Sequence, residues 1–150
     1  MNTIVVYSSR GGNTEKVALA IASELKCRAV KISKDFDAST LPLVNFDIIF
    51  IGTGIFGGEP SKDMLQYLKA QDFNDSNRQF ALFMTWAGGG KSEGLAFNRV
   101  KEYLEGKNQR LLDNCYKCFG ATFGLARRDH PNIRDLEEAR RWAKEVTKRI

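Results

Sequence analysis

A short run of hydroxyl, glycine and amide residues, Ser8 to Lys16, has the composition of a loop that binds an anion. Its glycines let the backbone turn tightly, so that successive N–H groups can converge on a negative charge. Asn13 and Thr14 open a predicted helix, whose N-terminal dipole also favours an anion. The run therefore predicts a phosphate site, with an ordinary threonine-capped turn as the alternative. The predicted binding residues are Ser8, Ser9, Arg10, Gly11, Gly12, Asn13 and Thr14.

A second glycine-rich run, Gly52 to Pro60, contains the apolar pair Ile55 and Phe56. Hydrophobic side chains in such a connection need an apolar partner, which is either a flat aromatic ligand or the domain core. Glycines in this run can change peptide orientation at little conformational cost. The ligand-binding interpretation selects Thr53, Gly54, Ile55, Phe56, Gly57 and Gly58.

A third run, Met84 to Ser92, has the glycines, lysine and serine of a triphosphate-binding P-loop. That pattern requires a glycine where this chain has Thr85, and no strand ends in an aspartate that could hold magnesium. Trp86 suits contact with a planar ring, and the small residues after it let backbone amides reach the polar edge of that ring. The predicted contacts are Thr85, Trp86, Ala87, Gly88 and Gly89. Together, the three runs describe a site for a phosphorylated flat heterocycle.

Apolar runs alternate with amphipathic runs along the chain, which predicts a parallel sheet covered by helices on both faces. The predicted strands are residues 2–7, 28–33, 47–53, 79–85 and 111–124, the last with an internal turn or bulge. The predicted helices are residues 13–26, 61–70, 93–106 and 132–150, with Asn132 as the N-cap of the last. We expect one α/β domain over residues 1–150, a doubly wound five-stranded sheet. Ligands of such sheets bind beyond the carboxyl ends of the strands, where the three runs lie.

These motifs resemble those of the flavodoxin family. The family phosphate loop has the form S/T-x-T-G-N-T-x, and Ser9 to Glu15 match it except that Gly11 replaces the middle threonine. The run "GTGIFGGEP" is similar to the family ring loop G-T-P-x-aromatic-x-G-x-P, with Gly54 in the proline place. The third run falls where the second ring loop of the family belongs. The resemblance implies the strand order 2-1-3-4-5.

By that resemblance, the chain binds FMN noncovalently at the residues named above and transfers electrons. It would cycle through the flavin semiquinone and hydroquinone between redox partner proteins, with no catalytic side chain. A peptide that reorients on reduction is assigned to Gly57 first and to Gly58 second. The alternative is a flavodoxin-like NAD(P)H-dependent quinone or FMN reductase, although such relatives are usually longer. A cofactor-free binding domain is a further alternative, because Gly11 lacks the family hydroxyl.

The net charge of +5 is carried by the last third of the chain. Residues 1–98 hold ten basic and ten acidic side chains, so residues 99–150 supply the excess. This excess is either a solvated helix face or a surface for acidic redox partners, and Arg127 and Arg128 near the expected flavin end are candidates for the latter. Nucleic acid is not expected, since no basic block is interleaved with aromatic residues. No apolar run approaches ~20 residues and the chain opens directly on a strand, so we expect a cytoplasmic protein with no membrane partner. We also expect a monomer or weak dimer.

Overall fold

Short β-branched and aromatic runs form the centre of the structure, as expected for strands that pack on both sides. The computed structural model describes residues 1–74, 77–88, 90–121 and 129–150. In these residues the strands are β1 (Thr3–Tyr7), β2 (Arg28–Lys31), β3 (Ile48–Phe56), β4 (Glu59–Pro60), β5 (Gln79–Trp86), β6 (Arg110–Leu111) and β7 (Tyr116–Phe119). The helices are α1 (Asn13–Leu25), α2 (Lys62–Lys69), α3 (Ser92–Glu105) and α4 (Ile133–Lys148), and two 3-10 turns, Ala38–Thr40 and Leu43–Asn45, link β2 to β3.

The long strands form a parallel sheet in the order β2-β1-β3-β5, and β6 and β7 both pair with β5 at the edge. These two short strands are the expected last strand, interrupted between Leu111 and Tyr116. β5 is thus the predicted fourth strand, because the short strand β4 was not predicted, and β6 and β7 together are the predicted fifth. The predicted flavodoxin-like order 2-1-3-4-5 is therefore confirmed. The order reverses between β1 and β3, which places a crevice beyond the carboxyl ends of these neighbouring strands.

Successive residues of the central strands enter two separate cores, one on each face of the sheet, because side chains alternate along a strand. On β1, Ile4 and Val6 join one core, and Val5 and Tyr7 join the other. β3 behaves in the same way, with Ile49 and Ile51 on the first face and Phe50 on the second. Both faces are covered by buried apolar side chains, so the polar groups that could bind a ligand lie at the ends of the strands.

Each face of the sheet is covered by two helices. α2 and α3 cover the first face with Met64, Tyr67, Leu68, Ala96, Val100 and Leu104. α1 and α4 cover the second with Val17, Ala18, Ile21, Ala139, Trp142, Ala143 and Val146. The predicted N-cap of α4 is confirmed, since Asn132 Oδ1 accepts from Asp135 N (3.0 Å) and Asp135 Oδ2 accepts from Asn132 N (2.8 Å). Among the described residues, none of the helices combines the length and the apolar composition that crossing a bilayer would require.

The main departure from the predicted elements is at β3, which continues three residues past its expected end at residue 53. Ile55 and Phe56 pair with the short antiparallel strand β4 instead of lying in an open loop. Gly57 (φ 58°) and Gly58 (φ 80°) close this two-residue hairpin. Two consecutive left-handed residues are what the favoured hairpin turn requires, and glycine adopts them without strain. The pattern missed the hairpin because glycines concealed the strand signal.

The two cysteines of the sequence C-x-x-C lie on opposite faces of the sheet. Cys115 packs against the first core and Cys118 belongs to the second. Burial raises the pKa of the Cys118 thiol to about 12. Burial is also the main cause of the raised pKa of the Cys115 thiol. Both side chains are thus neutral thiols at physiological pH and are poorly placed to share a ligand or a disulfide.

We predict that Gly52→Ala lowers the free energy of unfolding by about 1–3 kcal/mol, because the ring of buried Phe83 occupies the space that a Cβ at Gly52 would need. Gly94→Ala is the matched control: a Cβ there meets nothing within 4 Å, and Gly94 lies in α3, where alanine is the better helix former. The control should be neutral or slightly stabilising in urea denaturation. Equal effects of the two substitutions would contradict this account of the packing.

Candidate functional site

The carboxyl ends of β1, β3 and β5 surround a cleft of about 550 Å³, a size typical of small-molecule sites. Twelve of the predicted site residues line it: Ser9, Arg10, Gly11, Asn13, Thr14, Gly54, Ile55, Phe56, Gly57, Thr85, Trp86 and Ala87. Gly58 and Gly88 line an adjoining groove of about 360 Å³. Ser8, Gly12 and Thr53 line neither space. Gly89 lies outside the described residues, as do Arg127 and Arg128.

The first predicted loop offers several backbone donors at the start of α1. Gly12 is the N-cap in a left-handed conformation (φ 88°, ψ −2°), so a glycine is needed there although it does not line the cleft. Ser9 Oγ accepts from Gly12 N (3.1 Å) and from Glu15 N (3.4 Å). In the described part of the chain, no acceptor binds the N–H groups of residues 10, 11, 13 and 14. These groups and the helix dipole can bind an anion.

Two hydroxyls that the sequence assigns to phosphate binding have protein partners instead. Ser8 Oγ lies 2.7 Å from Ser61 Oγ, and both side chains are buried. Thr14 Oγ1 lies 2.8 Å from Thr85 Oγ1, also buried, although both threonines border the cleft. The reason is topological: the loop after β1, the start of α1, the start of α2 and the end of β5 meet at the carboxyl edge of the sheet, where each hydroxyl satisfies the other of its pair. The hydroxyl of Ser8 is therefore engaged elsewhere, and the prediction that it donates to phosphate gains no support from this geometry.

Thr53, which lines neither space, holds the hairpin that follows it. Its Oγ1 donates to Gly54 O (2.8 Å) and accepts from Ser61 N (2.8 Å), and the residue is fully buried. Both hydrogen-bonding roles of this hydroxyl are thus taken by the protein. Thr53 shapes the site by holding β3 against the start of α2.

Phe56 folds back across the cleft instead of pointing away from it. A Cβ at Gly54 would lie 2.9 Å from Phe56 Cζ, so the ring rests on the bare backbone of Gly54. The family loop has proline at this place, and its side chain would collide with the ring as it lies here. The absence of a side chain at residue 54 therefore lets Phe56 (41% exposed) form part of the cleft wall.

Trp86 separates the cleft from the adjoining groove, since it lines both. Its ring stacks against Phe119 of the neighbouring strand with centroids 6.3 Å apart and planes at 18°. Lys117 Nζ lies 5.9 Å from the Trp86 ring and pairs with Glu93 of α3. The indole is held in place by both neighbours, so it presents a fixed apolar wall.

A fourth segment, which the sequence analysis did not include, closes the cleft. Gly120 and Ala121, just after β7, line it, and Asn13 Nδ2 donates to Ala121 O (2.8 Å). A Cβ at Gly120 would lie 2.7 Å from Asn13 Nδ2, so only glycine lets the two loops approach this closely. The sequence carried one signal for this segment, namely Gly120, the glycine directly after β7. The carboxyl ends of parallel strands share one edge of a sheet, so the end of β7 is expected to lie beside the other loops.

Tyr7 joins the end of β1 to the first turn of α1. Its hydroxyl donates to Glu15 Oε1 (2.8 Å). Burial, followed by this hydrogen bond and the negative charge of Glu15, raises the pKa of Tyr7 to about 12. The phenol is therefore protonated at physiological pH and remains a donor that fixes the start of α1 on the sheet.

We predict that Thr85→Val destabilises the protein by about 1–3 kcal/mol, because it leaves the buried Thr14 hydroxyl without its partner. The double variant Thr14→Val/Thr85→Val should recover much of this loss, since neither hydroxyl then needs a partner. Thr147→Val on the exposed face of α4 is the control and should change the unfolding free energy by less than about 0.5 kcal/mol. Additive losses in the double variant, measured by urea denaturation, would show that the hydroxyl pair is not coupled.

Known proteins with this architecture identify the family. Residues 4–122 match the family profile of the flavodoxin domain. An uncharacterized protein of Methanocaldococcus jannaschii is 29% identical over 155 aligned positions, which cover 99% of each chain. Oxidised flavodoxin 1 from Bacillus cereus superposes with a TM-score of 0.78 at 21% identity, covering 100% of this chain and 99% of that one. Flavodoxin of Fusobacterium nucleatum bound to flavin mononucleotide superposes with a TM-score of 0.66 at 17% identity, over 100% and 99% of the two chains. Because the profile match spans most of the chain and includes the loops that build the cleft, this protein belongs to the flavodoxin family.

Proposed function

We propose that this protein binds FMN noncovalently in the cleft and carries electrons between redox partner proteins. The observation that supports this most is the junction of two unlike surfaces: unsatisfied amides at the start of α1 and an apolar wall that contains Phe56 and Trp86. A phosphorylated flat heterocycle requires both surfaces at once. The flavodoxin of Fusobacterium nucleatum, which has the same fold, has been solved with flavin mononucleotide.

The residues present fit this cofactor. The N–H groups of residues 10, 11, 13 and 14, together with the Ser9 hydroxyl, would hold the phosphate, and Gly12 provides the left-handed turn that starts α1 beside them. Ile55, Phe56 and Trp86 would border the ring. When bound, FMN supplies the electron transfer through its ring. The protein's own contribution is to bind and orient it, and none of the described cleft residues is placed as a general acid or base.

The proposal is tested by adding FMN to the flavin-free protein and passing the mixture over a sizing column. We expect one flavin per chain to elute with the protein, with its visible absorption bands retained. Protein that elutes without flavin at micromolar concentrations would overturn the proposal. Direct oxidation of NADH or NADPH by the loaded protein, without any separate reductase, would instead favour the flavodoxin-like reductase.

We predict that Gly11→Thr raises the affinity for FMN about three- to tenfold. Gly11 does not have a positive φ, and a Cβ there meets nothing within 4 Å, so a larger side chain fits. The added hydroxyl restores a donor beside the phosphate loop, and one such hydrogen bond contributes about 1 kcal/mol. Gly11→Val is the control of equal shape without the donor. Fluorescence titration should show a gain for threonine only, and an equal gain for valine would point to backbone stiffening instead.

We further propose that the redox partner is acidic at its docking face. Arg10 lines the cleft and Lys91 lines the adjoining groove, and neither lining contains an acidic residue among the described ones. Both cations are exposed and have no carboxylate partner in the described residues, so this rim, the lining of the two spaces, has a positive excess. The nearby carboxylates of Glu59 on β4 and Glu93 on α3 are themselves paired with Arg99 and Lys117. Leu95, which packs beside the hairpin and is 60% exposed, supplies an apolar contact in the middle of this rim. Such a surface suits carboxylates arranged around a small apolar patch.

Salt dependence tests this choice of partner. Raising the salt concentration should slow electron exchange with an acidic ferredoxin and should not slow exchange with a basic cytochrome, because ions screen an attraction in the first pair and a repulsion in the second. Lys91→Glu should reduce the rate with the ferredoxin at low salt. The matched control is Lys148→Glu, at the far end of α4, which should change it much less. If salt slowed exchange with the basic cytochrome and not with the acidic ferredoxin, the result would contradict an acidic partner.

A further inference from the structure

The phosphate loop reaches across the cleft and contacts the ring loop. Arg10 Cζ stands 4.7 Å from the centroid of the Phe56 ring, within the distance at which a guanidinium and an aromatic face attract each other. The same ring rests on Gly54, and all three residues line one cleft. The ring therefore contacts its own strand and is covered by a side chain of the phosphate loop.

This arrangement hinders a flat ligand. A planar ring that reaches the cleft wall at Gly54 has to displace Phe56, because a ring atom of Phe56 lies only 2.9 Å from the Cβ position of Gly54. Displacing Phe56 breaks its contact with Arg10. A flat ligand without an anionic group gives the Arg10 guanidinium no charged partner in exchange for that contact.

Arg10 has an alternative partner only when an anion is present. Its side chain is exposed and has no carboxylate partner among the described residues. It belongs to the loop whose N–H groups can bind an anion at the start of α1. A phosphate held by those groups would attract the guanidinium more strongly than an aromatic face does, since a hydrogen bond between two charged groups is among the strongest in proteins.

Phe56 can move without disturbing the core. It is 41% exposed, and it is followed by Gly57 and Gly58, both in conformations that glycine alone leaves easily. A Cβ at Gly57 would meet nothing within 4 Å, so there is space on the side of the turn next to Phe56, although Leu95 packs against Gly58.

We propose that Arg10 determines the specificity of the cleft: by holding Phe56 over Gly54 it opposes flat ligands that lack a phosphate, and a phosphate releases it. The inference rests on the proposed function, because it takes FMN as the ligand. It adds that the preference for FMN over riboflavin exceeds what phosphate contacts alone provide. Part of that preference is a lowered affinity for riboflavin, and the Arg10 side chain causes it.

The test compares FMN and riboflavin binding to the flavin-free protein and to Arg10→Ala, by quenching of flavin fluorescence. We expect Arg10→Ala to bind riboflavin about two- to fivefold more tightly, the range of one cation–π contact at a half-exposed site, and to bind FMN more weakly. If Arg10 only attracted phosphate, riboflavin affinity would stay unchanged. If it only supported the loop, both ligands would bind less well. Either result would overturn the inference while leaving FMN binding by the unaltered protein, and so the proposed function, intact.

A second variant separates the contact from the charge. In a Phe56→Leu background, Arg10→Ala should no longer affect riboflavin but should still weaken FMN binding, because only the aromatic contact has been removed. Lys16→Ala is the charge control: this exposed lysine of α1 makes no contact with Phe56, and its removal should leave riboflavin affinity unchanged. Tighter riboflavin binding by Lys16→Ala would show that net charge, and not the contact, sets the selectivity.

NMR of the flavin-free protein gives a readout that needs no ligand. In the unaltered protein without FMN, the Phe56 ring should shift the NMR signals of the Arg10 side-chain protons upfield. This upfield shift should be absent in Phe56→Leu. It should also disappear when FMN is added to the unaltered protein. An unshifted Arg10 would overturn the inference directly. Failure of the unaltered protein to bind either flavin would refute the proposed function, and the selectivity inference with it.

Discussion

The structure depends on one constraint: the central strands are parallel and are buried on both faces. Ile4, Val5 and Val6 are all fully buried although they alternate between two cores. A polar group in the middle of such a sheet would lack water and partners. Hydroxyls, unsatisfied amides and glycines are therefore placed at the carboxyl edge, and the reversal of strand order between β1 and β3 opens that edge into a cleft.

Close approach of backbones shapes the cleft as much as side chains do. Gly54 leaves space for the Phe56 ring, and Gly120 lets the end of β7 meet Asn13. Gly12 starts α1 in a conformation that keeps the neighbouring N–H groups available for an anion. At these positions a glycine is required by an adjacent group or by a positive φ, which explains why the loops are rich in glycine without being loosely packed.

The same edge also uses hydroxyls for its own cohesion. The pairs of Ser8 with Ser61 and of Thr14 with Thr85 connect the first loop to α2 and to β5. The loops that border the proposed FMN site are thus tied together before any ligand arrives. Such internal satisfaction rigidifies the site, so that less conformational entropy is lost on binding. Phe56 and Arg10 differ from these buried hydroxyl pairs, because both residues are exposed and a ligand can replace the contact between them.

The sequence by itself determined the order of the four helices and the long strands, the two-faced core and the three loops at one edge, because periodicity and turn residues are local properties. It did so correctly for α4, where Asn132 and Asp135 form the expected cap. It missed the short hairpin strand β4, whose neighbouring glycines gave no strand signal. Only the tertiary structure decided which hydroxyls have partners within the protein, since the partners of Ser8 and Thr14 lie 53 and 71 residues away in the chain. The cation–π contact between Arg10 and Phe56 could not be predicted either, because a contact between distant segments leaves no periodic signal in either one.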